Sequence, residues 1–348
     1  MCMETLFIID TTHGEIYYSI SYMAAILIAA AMGFYAGVRM GYPKFPWLLL
    51  MMAGGMFFII GEKVATYSPG QWMQVFTDFQ LPRTGKKTIL GGILGLSAGL
   101  ILGKTWFRFY RPVVDNFAIA LPVAMAISRI GCLMAGCCFG TPANVPWGIH
   151  YGSSSIACHV HMMHGLLHPH DTASALIHPV QVYEILGCLL IAFLVWKTRN
   201  RWSASGSLFL FSVLCYAMLR FLVEFVRAPE SSFVMAQDYS GLKTIQWVIM
   251  AVMVTGLIFL IGREKRQDHD LLIIKQMRMP ASRQVVMVVF FTVVAYSGRN
   301  WFTPVEMSLI LLFLLPVLVF TILRMSVIVT KDGIRLKLPG LQRDDESP

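Results

Sequence analysis

The chain has 348 residues, 56% of them hydrophobic and only 14% charged, with nine more positive than negative charges at neutral pH. Together with a mean hydropathy of +0.64, this lies outside the range of soluble globular domains and predicts an all-α polytopic membrane protein. The positive charge falls in short separate clusters with no interleaved aromatic run, which argues against nucleic acid as a partner.

A bilayer core takes about 20 mostly apolar residues per helix. Segments of that kind fall near 17–38, 46–61, 88–107, 116–136, 180–196, 206–223, 244–262, 284–297 and 304–323, the second and eighth being short. No positive n-region or small-residue cleavage site precedes the first, so it is expected to be retained. Lys and Arg cluster at Arg39 and Lys44, at Lys104, Arg108 and Arg111, at Lys197, Arg199 and Arg201, and from Arg263 to Arg283. The positive-inside rule puts those links in the cytoplasm. The intervening link from Thr141 to Ile177 has neither residue, which suits the outer side, with the N-terminus outside and the C-terminus cytoplasmic. One link dissents, because Lys63, Arg83, Lys86 and Lys87 lie where the outside is expected.

Two blocks follow from this pattern. Residues 1–264 form a seven-helix membrane domain with an outer loop at 139–177. Residues 265–348 form a plain hydrophobic appendage, a transmembrane hairpin with a cytoplasmic tail. In that tail SVIVTKDGIRLKLPG has the alternation and Asp-Gly turn of a β-hairpin. The acidic end QRDDESP is expected to fray.

Polar residues inside apolar runs carry the functional signal, since an Arg at a membrane-helix centre costs about 2.5–3.5 kcal/mol on insertion scales. Arg129 lies in SRIGCLMAGCCFG; alone, it reads almost equally well as a side chain snorkelling to the headgroups. In RFLVEFVRAPE, Arg220, Glu224 and Arg227 recur at spacings of four and three and share one helical face. They suit either an interhelical ion-pair lock or a clamp for a phosphate, which the guanidinium fork matches. In HPVQVYE, Pro179 presets a helix start, and Gln181, Glu184 and Cys188 share the face that follows. That stretch is either a capped helix end with Tyr183 in the interfacial belt or the wall of a headgroup pocket. All three stretches fall at outer helix ends under the topology above, which points to an anionic phospholipid.

The ordered series SRIGCLMAGCCFG, PWGIHY, HPVQVYE, RFLVEFVRAPE and GLKTIQW resembles the bacterial prolipoprotein diacylglyceryl transferase family over about residues 15–262. The resemblance implies a seven-helix core, here with two additional C-terminal helices, in the bacterial plasma membrane. It implies a cofactor-free monomer that moves the diacylglyceryl group of phosphatidylglycerol onto a thiol acceptor, the lipobox cysteine of a prolipoprotein. Arg129, Arg220, Glu224 and Tyr22 then match catalytic positions. Arg227, His178, Gln181, Tyr183, Glu184, Gly136 and Gly140 match substrate-binding ones. Leu90 stands where the family has His, Cys132 for Asn, Cys137 for Glu, Ser128 for Gly and Ile245 for Gly. The phosphate-binding half of the pattern is retained and the acid–base half largely replaced.

Displacement at an sp³ glycerol carbon by sulfur needs a thiolate, a stabilised phosphate leaving group and a dry pocket that aligns them. The acceptor supplies the thiol, so a base or field must lower its pKa from about 8.5. Cys132, Cys137 and Cys138 are the candidate thiols. A vicinal Cys137–Cys138 disulfide would be strained. Seven of the nine histidines lie between His150 and His178, around CHVHMMHGLLHPH, but the spacing fits no structural zinc pattern, so no metal is assigned. A soft metal held by Cys and His, or a thiol that accepts the transferred group, remains open. So does a non-catalytic lipid-binding or metal/redox-thiol protein on the same fold.

Overall fold

The computed structural model describes residues 8–78, 82, 88–106, 109, 113–168, 170–231, 238–266, 281–297, 301–312, 314, 326–330 and 333–337. In chain order these form β1 (Ile8–Ile9), α1 (Gly14–Arg39), α2 (Lys44–Val64), α3 (Pro69–Asp78) and α4 (Ile89–Trp106). A 3₁₀ turn at Val114–Phe117 leads into α5 (Ala120–Ala135), followed by β2 (His150–Tyr151) and α6 (Ile156–Met163). Then come α7 (Val180–Thr198), α8 (Ser207–Val223), the short hairpin β3 (Asp238–Tyr239) and β4 (Leu242–Lys243), α9 (Thr244–Arg266) and α10 (Ala281–Ser297). Residues 304–312 are helical, and β5 (Ser326–Thr330) pairs antiparallel with β6 (Gly333–Lys337) as the Asp-Gly turn predicts.

Among the described residues the apolar segments read from the sequence are helical, the last of them over 304–312, because apolar runs in lipid can satisfy their backbone only internally. Among the described residues five helical stretches are long and apolar enough to cross a membrane: Gly14–Arg39, Lys44–Val64, Val114–Ala135, Val180–Thr198 and Thr244–Lys265. The apolar α8 is shorter. The chain is therefore a multi-pass membrane protein. The acidic terminus and Arg83, Lys86 and Lys87 lie outside the described residues.

Packing groups the chain into two units, one of residues Met1–Gly33 and Pro112–Leu271, the other of Phe34–Arg111 and Leu272–Pro348. This division runs along a different line from the sequence blocks 1–264 and 265–348.

In the first unit α5, α7, α8 and α9 form the bundle. Asp115 accepts the backbone N–H groups of Gly206 (2.6 Å) and Phe209 (2.9 Å), placing an anion at the N-terminus of α8. Near the far end of α9, Glu264 accepts the N–H groups of Ser203 and Ala204. Those contacts fix the ends of α8 and α9 remote from the polar cluster described below.

In the second unit an apolar core of Met56, Ile59, Tyr67, Phe291, Trp301 and Ile310 joins α2 to α10 and the 304–312 helix. That helix is more than a plain hydrophobic appendage. Thr303 and Glu306 form a reciprocal capping box, with Thr303 N–H to Glu306 Oε2 at 2.8 Å and Glu306 N–H to Thr303 Oγ1 at 3.4 Å. Lys63 Nζ lies 2.6 Å from Glu306 Oε2, with both side chains almost fully buried, and donates to the Trp301 carbonyl at 2.9 Å. Its ammonium also sits 4.9 Å from the centre of the Trp301 ring.

Removing one member of a buried pair strands the other charge, whereas replacing both with apolar groups is often tolerated. Glu306→Ala should therefore destabilise the protein by about 3–5 kcal/mol, and Lys63→Met combined with Glu306→Leu should recover most of that loss. Thermal unfolding in detergent, read from the second unit's Trp301, checks both; a double variant as unstable as the single one would contradict the assignment.

Candidate active site

The site begins at the C-terminus of α5. Gly136, at φ +64°, takes the left-handed conformation that ends a helix, and a Cβ there would stand 2.9 Å from Thr11 Cγ2. The Cys137 N–H then reaches back five residues to the Cys132 carbonyl at 3.2 Å. Cys138 also has a positive φ, 62°. This double reversal folds the chain under the helix end and brings the Cys132, Cys137 and Cys138 sulfurs within 4.8 Å of one another.

The following residues are clamped on both sides. Thr141 N–H donates to Val226 O and Ala228 N–H to Phe139 O, while His178 N–H donates to Thr141 O. Gly140 forms a bridge to Arg227, and a Cβ on it would come within 2.5 Å of the His178 carbonyl. The segment after α5 is thereby sewn to the start of α7 and the end of α8.

Four helix ends meet here, and so do their charges. Arg129 Nε lies 2.6 Å from Glu184 Oε2, and Arg220 Nη1 lies 3.6 Å from Glu184 Oε1. Arg220 Nη2 lies 2.8 Å from Glu224 Oε2, and Lys243 Nζ lies 3.6 Å from Glu224 Oε1. Glu184 and Glu224 are wholly buried, and Arg129 and Arg227 nearly so. With Arg129, Arg220, Arg227 and Lys243 against Glu184 and Glu224, four cations face two carboxylates, leaving two positive charges in excess if the thiols are neutral.

Of the two readings of the arginine face, the interhelical ion-pair lock is the one seen directly. Arg129 and Arg220 are the interhelical lock. Lys243 donates to the Glu224 and Arg227 carbonyls at 2.8 and 2.7 Å, capping the end of α8. Arg227 differs: Nη2 donates to Ser231 O at 3.3 Å, while its buried Nε and Nη1 have no hydrogen-bond partner among the described residues. A buried fork with two spare N–H groups is a ready anion donor.

The thiols touch this charge. Arg129 Nη1 lies 3.7 Å from both Cys132 Sγ and Cys138 Sγ. Hydrogen bonds from Cys132 and Cys137, then the Arg227 and Arg129 guanidinium groups, hold the Cys138 thiol well below the ordinary cysteine range despite burial. Cys137 is pushed the other way, first by its hydrogen bonds to Cys132 and Cys138.

Gln181 joins the same cluster, donating to the Cys137 carbonyl (2.7 Å) and the Tyr151 hydroxyl (3.1 Å). Its own Oε1 is buried and unpartnered among the described residues. Tyr151 in turn donates to Leu133 O at 3.1 Å. His178 and Tyr183 make a separate group, the Tyr183 hydroxyl receiving Trp147 Nε1 at 2.7 Å and lying 3.2 Å from His178 Nδ1. Tyr22 stacks on Tyr18 in α1, ring centres 6.4 Å apart. That helix reaches α5 at Gly131, where a Cβ would stand 3.0 Å from Tyr18 Cα.

The histidine-rich stretch serves packing. His161 is buried and its Nδ1 accepts Ala175 N–H at 3.2 Å, His150 Nδ1 lies 2.7 Å from Ser174 O, and Ser155 caps α6 through Cys158 N–H. Among the described residues the one group able to hold a metal is the three-cysteine cluster, without histidine. Tyr151 and Lys243 were not singled out from the sequence, although both lie in or beside quoted motifs; a hairpin Lys just before a helix gives no sign that it caps a different one.

The model of the prolipoprotein diacylglyceryl transferase family matches residues 9–262. The chain belongs to this family. Among its curated relatives, each named phosphatidylglycerol–prolipoprotein diacylglyceryl transferase, a Clostridium tetani protein is 30% identical over 51% of this chain and 65% of its own length. An Idiomarina loihiensis protein is 28% identical over 72% of this chain and 89% of its own. One from Cereibacter sphaeroides is 28% identical over 63% and 76%. The family match contains every residue of the polar cluster, from Arg129 to Lys243, and ends close to the end of α9.

Because Glu184 balances two guanidinium groups in a buried place, Glu184→Ala should cost about 3–5 kcal/mol of stability. Tyr183→Phe, one residue away but outside the cluster, should cost no more than about 1 kcal/mol. Parallel denaturant titrations in detergent would read the contrast, and equal losses would refute it.

Proposed function

We propose that this family member moves a diacylglyceryl group from phosphatidylglycerol to a thiol acceptor, the lipobox cysteine of a prolipoprotein. What carries the reading is the buried convergence of Arg129, Arg220 and Arg227 from two helices and the turn after α8, with Arg227 keeping two unpartnered N–H groups. A phosphate departing from glycerol develops charge on its bridging oxygen, and fixed donors in a low-dielectric site stabilise that charge most. Arg227 is the direct donor in this scheme. Arg220, already paired to Glu184 and Glu224, can lean toward the phosphate while the carboxylates keep the resting site from collapsing on its own repulsion. Gln181, fixed through Cys137 and Tyr151, offers a free carbonyl oxygen to a glycerol hydroxyl. His178, Tyr183, Tyr22, Gly136 and Gly140 shape the surroundings.

The lipid source agrees with the rest of the chain. Arg129, Glu184, Arg220 and Lys243 lie near one end of α5, α7, α8 and α9, and the link expected outside, Thr141 to Ile177, emerges at that same end. The orientation with N-terminus outside and C-terminus cytoplasmic, in the plasma membrane of a bacterium, places the site at the outer headgroups. Lys63, a dissenter from that orientation, is neutralised by Glu306 and so weighs little as a topological charge. The chain acts as a monomer, and residues 265–348 are an addition to a catalytic block of residues 1–264.

Purified protein supplied with phosphatidylglycerol and a lipobox peptide should add the mass of one diacylglyceryl group to the peptide. Removing one transition-state donor typically costs about 10²–10³ in rate, so Arg227→Ala and Arg220→Ala should each fall at least that far. Arg227→Lys should recover little, since an ammonium lacks the fork. Lipid retained without any peptide modification by the wild-type protein would defeat the transferase reading.

A further inference from the structure

We propose that Cys132, Cys137 and Cys138 form a three-thiolate site for a d¹⁰ ion of the zinc class, whose fourth coordination position takes the acceptor thiol. The inference rests on the transferase reading for what that thiol does next, but the metal site itself stands on the geometry.

Three sulfurs drawn from a helix end and the turn beyond it lie within 4.8 Å of one another, and none is in a disulfide. Zn–S bonds of about 2.3 Å in a tetrahedral site put sulfurs about 3.8 Å apart, so closure onto an ion needs about 1 Å of movement at most. The backbone already sets that convergence through the left-handed Gly136 and Cys138 and the bond from Cys137 N–H to Cys132 O. Sequence spacing hides it, since a C-x₄-C-C run resembles no zinc pattern until the helix end reverses.

The surroundings favour such a complex. A divalent ion with three thiolates carries one net negative charge, and it would sit among four cations and two carboxylates. Arg129 Nη1, 3.7 Å from two of the sulfurs, is the outer-shell donor that thiolate ligands commonly have. Among the described residues the group has three members and no fourth protein ligand. Three protein ligands with an open place is the pattern of catalytic zinc, and four that of structural zinc.

The chemistry closes a gap in the cluster. Glu184 and Glu224 are both engaged with cations, so neither is placed to deprotonate an incoming thiol. A thiol that binds the ion gives up its proton to solvent and becomes a thiolate at neutral pH. Its sulfur lone pair then forms the C–S bond to the glycerol carbon as the C–O bond breaks. The bond electrons leave on the phosphate oxygen toward Arg227, and no redox partner is required.

Full-length protein in detergent, reduced, stripped with chelator and titrated with Co(II), tests this directly. Expected are a thiolate-to-cobalt charge-transfer band and intense tetrahedral d–d bands saturating at one ion per chain. A short cysteine peptide should shift the d–d bands, and its serine counterpart should not. Cys132→Ser, Cys137→Ser and Cys138→Ser should each lose the saturable spectrum, while Cys158→Ser, with an unchanged melting curve as the folding control, should keep it. Absence of the charge-transfer band in the wild type, or its survival in all three serine variants, overturns the site; d–d bands indifferent to the cysteine peptide overturn the open position. Correct bands with a peptide shift, but no diacylglyceryl transfer from phosphatidylglycerol, would uphold the metal–thiol site and overturn the transferase reading instead.

Discussion

Glu184 is the residue on which the arrangement turns. A carboxylate with no solvent exposure is costly to place there, and the cost is offset because Arg129 and Arg220 approach it from two other helices. The pairing fixes α5, α7 and α8 at one end, whereas apolar contact between the same helices would be far less particular about register. Glu224 repeats the device between Arg220 and Lys243 and ties in α9. Once these carboxylates are saturated by cations, any further cation in the cluster is surplus, and Arg227 stands in that position. The anion-binding capacity of the site is thus a consequence of how the bundle is held together.

The helices were legible because apolar runs in lipid admit little else, and among the described residues the apolar segments reappear at nearly the expected places. The arginine and glutamate positions were legible for the opposite reason, as charges where charge is costly. What the sequence could not convey is pairing. Arg220, Glu224 and Arg227 share a helical face at the level of spacing, yet Arg220 turns to Glu184 and Glu224 while Arg227, past the end of α8, turns to Ser231 and the thiols. Tyr183 stands in the same short motif as Gln181 and Glu184 but turns to Trp147 and His178, because successive residues of a helix point in different directions. The three cysteines were legible as candidate thiols, but not their convergence: proximity there depends on two left-handed residues, one of them a cysteine.

The second unit shows the same economy of charge with no catalytic role attached. From sequence alone Lys63 reads as a charge in conflict with the topology, and the segment 304–323 as plainly hydrophobic. Together they form one buried ion pair, reinforced by a helix cap and by the Trp301 ring and carbonyl. A topological count that treats every lysine as solvated misreads such a residue, because a charge cancelled inside the protein exerts little pull on the anionic leaflet.

The first cluster also explains why a basic membrane protein can place thiols among guanidinium groups without making them indiscriminately reactive. A thiolate near two arginines is stabilised and correspondingly less nucleophilic, since intrinsic nucleophilicity falls with pKa. The Cys138 thiol is held low first by its hydrogen bonds from Cys132 and Cys137, and then by the Arg227 and Arg129 guanidinium groups. On the proposed transferase reading, a thiol arriving from outside meets a different field: the three resident sulfurs are fixed, and the positive excess acts on the newcomer and on the leaving phosphate together. On that reading, activation of the acceptor and stabilisation of the leaving group are not separable properties of this site. Weakening Arg129 would release Glu184 and disturb Cys132 and Cys138 in one step, so the ion-pair network and the thiol cluster depend on the same buried guanidinium.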